Sequence, residues 1–375
     1  MITTYDTPTE TMTAITDGWY NRLAASLNLS VQHFQLLQPP GVPASDQALW
    51  DCFNVVPPAT LKYNRWYYQQ PTFFSQYAAV VNRLSFPESA FVKDIGADTY
   101  VQWQAYLKSI SPPPPANTLP TVWFQWAVVN APSVANIGRS DLATQLLISG
   151  AQAVLEPYEG PDAIPADFSP SFSDLQNTLS ASTGTSFSFD SINDDPDVSN
   201  SWVPGDDPNY FGMWTGSSAV FHISRKFASS KITVSMQFDH FATVSVTPGQ
   251  WYNSALLHQA WASQSTPPWI DSSDWQTYFG ASGSLTHAVG SLLAADGITL
   301  TLTSDADFTQ SEQTLIKGLV AAGDWPVYCP ITSPAISNTI STGPGSMTIQ
   351  FKSAPGNPVV LGFNVLDIRS YVGAG

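Results

Sequence analysis

The stretch Lys231 to Thr247, KITVSMQFDHFATVSVT, decides the reading of the fold. Ile232, Val234, Met236 and Phe238 alternate with Thr233, Ser235 and Gln237, and a two-residue period is what a strand with one buried face requires. The series breaks at Asp239-His240, where a bulge or a turn is expected. Ile298, Leu300 and Leu302 alternate with three threonines in the same way. Met347, Ile349 and Phe351 form a further strand, Val359 to Ile368 the last, and Ser186-Phe187-Ser188-Phe189 is a short strand-like piece.

The front of the chain keeps a different period. Met12, Ile15, Trp19, Leu23 and Leu27 recur at spacings of three and four, as one face of a helix requires. Phe73, Tyr77, Val80, Val81 and Leu84 repeat that pattern, as do Tyr100, Trp103, Leu107 and Ile110. A fourth helix, with Asp141 near its start, runs through Leu142, Leu146, Leu147, Val154 and Leu155. Pro112 to Pro115 cannot continue a helix, and the apolar run Leu119 to Val129 resumes the core at once. From Pro157 to Asn209 the periodicity lapses. Two helices are expected to interrupt the β part. One runs through Leu285, Val289, Leu292 and Leu293, and the other follows the capping box Thr309-Gln310-Ser311-Glu312.

The fold class is therefore α+β, a helix-rich N-terminal region followed by a mainly antiparallel β-sheet or sandwich with inserted helices. The expected division is a helix-rich domain over 1–156, an acidic Pro-, Ser- and Asp-rich connection over 157–209, and a mainly antiparallel β domain over 210–375. The order of a helical front and a Ser/Thr-rich β back resembles that of multidomain toxins and lectin-like proteins, with no motif matched residue by residue.

Composition narrows the function classes. Of 375 residues 43% are hydrophobic, enough for a sizeable core, while charged residues make up 11% against roughly 25% in a typical domain. Thirteen Lys and Arg stand against 29 acids, a net charge of −16. That balance excludes a nucleic-acid binder, which runs on dense Lys and Arg, and a polybasic membrane anchor. It also repels phosphate and acidic lipid. No apolar run approaches the roughly 20 residues of a transmembrane helix. Surfaces low in Lys and Glu but rich in Ser, Thr, Asn and Gln recur in secreted proteins, although Met1 to Leu29 shows no signal peptide. Cys52 and Cys329 stand too far apart in sequence to fix a pairing.

Between Ser140 and Ser224 there is no Lys or Arg and there are twelve acids. They are densest at Asp190, Asp194, Asp195 and Asp197. Carboxylates this close repel one another unless they are solvated or share a cation. Calcium, which accepts six to eight oxygen ligands in flexible geometry, is the cofactor that fits. The simpler reading is a solvated turn, because the spacing lacks the Gly and Glu of an EF-hand loop.

Six of the 13 tryptophans fall between residues 202 and 275. Trp202, Trp251, Tyr252 and Trp269 lie among turn-forming residues, with Tyr210, Trp214 and Trp261 in the same aromatic-rich stretch, and loops mostly run on the surface. They are the candidate ligand-binding residues, since flat indole faces stack on the C–H faces of sugars. The competing reading has them covering a core or a subunit interface. The five histidines form no zinc motif, and no nucleophile or phosphate-loop motif is present.

The function expected is a non-catalytic binding or effector protein of secreted type, engaging a glycan or a protein partner through Trp-rich loops; an oligomer is compatible with it. Two alternatives stay open. One is a pore-forming protein that inserts the strand near 231–247 into a membrane. The other is an enzyme acting on a neutral carbohydrate or apolar metabolite, for which Asp239 and His240 are the first residues to replace.

Overall fold

The computed structural model describes residues 33–57, 71–190, 230–264, 267–322, 336–343 and 346–373, with isolated positions at 21, 22, 24, 25, 29, 30, 192 and 226. In chain order come β1 (Phe34–Gly41), α1 (Asp46–Phe53), α2 (Phe73–Asn82), α3 (Glu88–Ile95), α4 (Ala97–Ser109), α5 (Leu119–Asn130) and α6 (Ala135–Leu155). Then follow α7 (Phe172–Ala181), β2 (Thr185–Asp190), β3 (Ile232–Ser245), α8 (Ser254–Ala262), α9 (Asp274–Phe279) and β4 (His287–Ser304). The chain closes with α10 (Gln310–Ala322), β5 (Ile336–Gly343), β6 (Ser346–Ser353), β7 (Val359–Asp367) and α11 (Ile368–Tyr371). The class is α+β. Among the described residues no helix is long and apolar enough to cross a membrane.

The chain forms two compact units, each assembled from three segments. One takes Met1–Gln70, Phe168–Thr247 and His287–Leu366; the other takes Pro71–Asp167, Pro248–Thr286 and Asp367–Gly375. Neither is continuous in sequence.

The first unit is built on a seven-stranded sheet in the order β1-β7-β4-β3-β2, with β6 also on β4 and β5 on β6. β3 and β4 pair antiparallel from Ile232↔Ser304 to Ser245↔Ser291 with no shift of register, Asp239 and Gly297 being left out of the ladder. The bulge or turn expected at Asp239-His240 is therefore absent. Val244 and Val246 keep the parity of Ile232, so no extra residue is needed. The irregularity is absorbed across the pair by Gly297, at φ +64°, where a Cβ would run into the Asp239 side chain.

The inward face of β3 supplies Ile232, Val234, Met236 and Phe238 to a core completed by Leu300, Leu302, Ile349, Phe351 and Ile316. Each such side chain contributes about 1.5–3 kcal/mol of burial. The helix expected through Leu285, Val289, Leu292 and Leu293 is instead part of β4. Ala288, Val289, Leu292, Leu293, Ala294 and Ala295 are all buried, so this strand is covered on both faces. A continuous apolar run satisfies a helical period by accident. The helix after Thr309 is present. The Glu312 carboxylate accepts from the Thr309 N–H at 2.7 Å, and the Glu312 N–H donates back to the Thr309 hydroxyl at 3.4 Å. A helix not expected from periodicity, α7, starts at the same kind of reciprocal cap, Ser171 with Asp174.

The second unit is helical. Phe91, Ile95, Trp103, Trp123, Trp126, Ala127, Ala135 and Leu142 form one of its cores. Trp103 and Trp123 meet edge to face at 5.2 Å between centroids. The Trp123 Nε1–H donates to the Ala135 carbonyl at 2.9 Å, and Gly138 lets α6 close over that ring, since a Cβ there would lie 2.5 Å from it. The expected helices at 73–84 and 100–110 appear as α2 and α4, while the one expected from Asp141 begins six residues earlier, at Ala135. The proposed helix through Met12 and Trp19 lies largely outside the described residues.

Candidate functional site

Two of the expected ligand residues are core. Trp251 is fully buried and Trp269 is 1% exposed. Gly249 brings the turn before Trp251 hard against Asp167, donating its N–H to the Asp167 carbonyl at 2.9 Å. The Trp251 Nε1–H then donates to that same carbonyl at 2.8 Å. Its ring meets Phe74 at 5.1 Å and Tyr77 at 5.5 Å, both edge to face. Trp269 donates to the Ala260 and Ser263 carbonyls at 3.1 and 2.6 Å and stacks on Tyr278. The expectation that these two rings face a ligand is corrected. An indole whose N–H finds a carbonyl inside the fold is most stable with the whole ring buried there.

Tyr252 is half-buried, and its hydroxyl is sealed from solvent with no hydrogen-bond partner. Burial, with the Tyr77 hydroxyl adding to it, pushes its pKa far up. A ligand arriving at the surface does not reach that hydroxyl, so the ligand role expected of Tyr252 is not carried by its polar end.

Trp261 is different. Asn253 caps α8 by accepting the Leu256 N–H at 3.0 Å, and Leu256, Leu257 and Ala260 turn inward. One helical turn then places His258 and Trp261, three residues apart, together on the other side. Trp261 is half-buried. The Arg369 guanidinium lies 5.9 Å from its ring centroid and the His258 ring 6.1 Å away. The His258 Nδ1 faces the Val372 carbonyl at 3.4 Å, and since a carbonyl only accepts, this nitrogen carries the hydrogen. Trp275, also half-buried, donates its Nε1–H to the Trp261 carbonyl at 2.7 Å, tying α9 to α8. The arrangement offers flat apolar ring surface beside a cationic donor: the means for noncovalent recognition.

Trp202, Tyr210 and Trp214 lie outside the described residues, as do Asp194, Asp195, Asp197 and Cys329. Asp190, at the end of β2, accepts the Ile192 N–H at 3.0 Å and pairs with the Lys231 ammonium at 3.5 Å. Among the described residues no group of three metal-ligating side chains occurs. His240 places Nδ1 at 3.0 Å from the Ser182 carbonyl, while Asp239 packs at Gly297. Cys52 is a buried free thiol whose pKa burial pushes up to about 12, with Asp51 adding to it.

Sequence reasoning missed Arg369, His258 and Trp275. The inward set Leu256, Leu257 and Ala260 was a usable signal for His258 and Trp261; nothing local announces Arg369, which arrives from more than 100 positions along the chain. No protein-family model matches this chain, and comparison with curated proteins and with solved structures gives no match.

Proposed function

We propose that this is a non-catalytic binding or effector protein of secreted type, which engages a glycan or a protein partner through the surface centred on Trp261. The observation that carries the reading is the incompletely buried indole with Arg369 lying 5.9 Å from its centroid. Exposing part of a tryptophan is costly unless something covers it, and a side chain that had only to fill the fold would sit as Trp251 and Trp269 do. Calcium dependence belongs to the same proposal and rests on the sequence from Asp190 to Asp197. The membrane-insertion alternative asks more of the fold. Over residues 233–238, β3 is hydrogen-bonded to β2 on one side and β4 on the other, and an inserting hairpin must leave both.

The test is a glycan-array and pull-down screen with and without calcium, on the protein and on Trp261→Ala. A ligand captured by the first and lost by the second is the expected result. A ligand held equally by both removes Trp261 from the site, and leakage of liposomes would favour insertion.

A further inference from the structure

We infer that the Trp261 surface takes a carboxylate-bearing sugar, with Arg369 holding the carboxylate while the sugar ring lies on the indole; this rests on the binding function proposed above. The polar inventory beside Trp261 points to this class. A guanidinium has five N–H donors and no acceptor, arranged in a planar fork that matches a carboxylate with two parallel hydrogen bonds. Arg369 is exposed and forms no ion pair with a described residue. Its nearest acid along the chain, Asp367, is already engaged, since its Oδ1 accepts the Arg369 backbone N–H at 2.8 Å and so caps α11.

Two of the other described cations that lie on aromatic rings are committed elsewhere. Arg83, over Tyr278, pairs with Asp274 at 2.5 Å, and Lys226, over Phe308, pairs with Glu312 at 3.0 Å. Arg139 lies over Phe124 with no second half-exposed ring tied to it. Among the described residues, Arg369 alone combines a fork in no ion pair with a tryptophan platform and an adjoining Trp275. The cation–π contact with the indole, 5.9 Å to the ring centroid, restrains the long arginine side chain before any ligand arrives, so less rotamer freedom is lost on binding.

Of the acids behind the net charge of −16, Asp367, bonded to the Arg369 backbone N–H, is one that stands near the site. At physiological ionic strength charges more than about 8 Å away are largely screened, so the distant acids slow the approach of an anion more than they weaken its seat.

The test uses the full chain and three probes by NMR titration: glucuronate, glucose, which keeps the ring and lacks the carboxylate, and acetate, which keeps only the charge. Glucuronate should bind at least tenfold more tightly than either. Arg369→Gln, at an exposed position, should bring glucuronate down to the level of glucose, and Trp261→Ala should abolish both sugars. Glucose bound as well as glucuronate, with no effect of Arg369→Gln, overturns the inference and leaves the glycan platform standing. Acetate bound as tightly as glucuronate overturns it in favour of a bare anion site. If no sugar binds, the inference falls, and the array and pull-down decide separately whether a protein partner still uses this surface.

Discussion

Replacing Asp141 by Asn should make the helical unit gain stability on the parent as pH rises from acid to neutral. Asp141 sits on α6 and is 6% exposed, with Oδ2 lacking any hydrogen-bond partner. Burial, and then the charge of Asp94 on α3, push its pKa up from 3.8 to about 6. Because the folded value lies above the unfolded one, the folded chain holds this proton more tightly. Stability is therefore greatest below about pH 4, declines as pH rises towards 6, and is level above that. Two pH units at 1.36 kcal/mol each put the cost of ionisation at up to about 3 kcal/mol. An Asn amide has nearly the shape of the neutral acid and cannot ionise, so the variant avoids that cost. Its own unpaired amide carries a desolvation penalty of roughly 1–3 kcal/mol, which does not vary with pH. The readout is consequently the change in the difference between variant and parent, which also cancels every other titrating carboxylate. Urea unfolding followed by near-ultraviolet circular dichroism at pH 4 and pH 7.5 should show Asp141→Asn gaining about 2–3 kcal/mol on the parent between the two. Asp94→Asn, which removes the charge but not the burial, should gain less. Equal differences at both pH values would refute the reasoning, because they would mean that Asp141 ionises as easily folded as unfolded.

Further substitutions separate structural from recognition roles. Trp251→Ala should cost about 3–5 kcal/mol by emptying a core site, whereas Trp261→Ala should cost about 1 kcal/mol or less; thermal melts of the two compare them directly. Gly138→Ala puts a methyl 2.5 Å from the Trp123 ring and should destabilise by about 1–3 kcal/mol, with altered near-ultraviolet dichroism. Glu312 is partly buried, which on its own favours the neutral acid, yet hydrogen bonds from Thr309 and the Lys226 ammonium outweigh that and hold its pKa at about 2. The stability it confers is present above pH 4.5 and fades towards pH 2, so Glu312→Gln should lose about 1–2 kcal/mol at pH 7 and nothing at pH 2, as urea titrations would show.

Periodicity found several of the strands and helices that keep one face wet. Ile232 to Phe238 and Ile298 to Leu302 alternate because each strand has one inward face, and α2 and α4 were visible for the equivalent reason at a period of 3.6. It failed at β4, where Ala288, Val289 and Leu292 to Ala295 are buried on both faces and Ser291 is the one polar residue among them. It failed again at α7, whose apolar face is only Leu175 and Leu179; the Ser171–Asp174 cap was the better signal. The two units were beyond reach for a different reason. β1, from the front of the chain, pairs with β7 near its end, and a strand's own residues do not say which partner closes its hydrogen bonds.

The tryptophans show how far composition carries a site. Their density points to a surface, yet density cannot separate Trp251 from Trp261, which are ten residues apart. The separation comes from the polar edge of the ring. Trp251 and Trp269 each find a backbone carbonyl within the fold, and a satisfied N–H removes the only penalty on burying an indole completely. Trp261 instead stands on the outward side of an amphipathic helix with Arg369 over its ring, and a cation there needs water or a ligand at its edges. Recognition by this chain therefore follows from where its few positive charges are placed against aromatic rings more than from how many rings it has. With 13 Lys and Arg in the whole sequence, each such placement is a stronger clue than any tryptophan count.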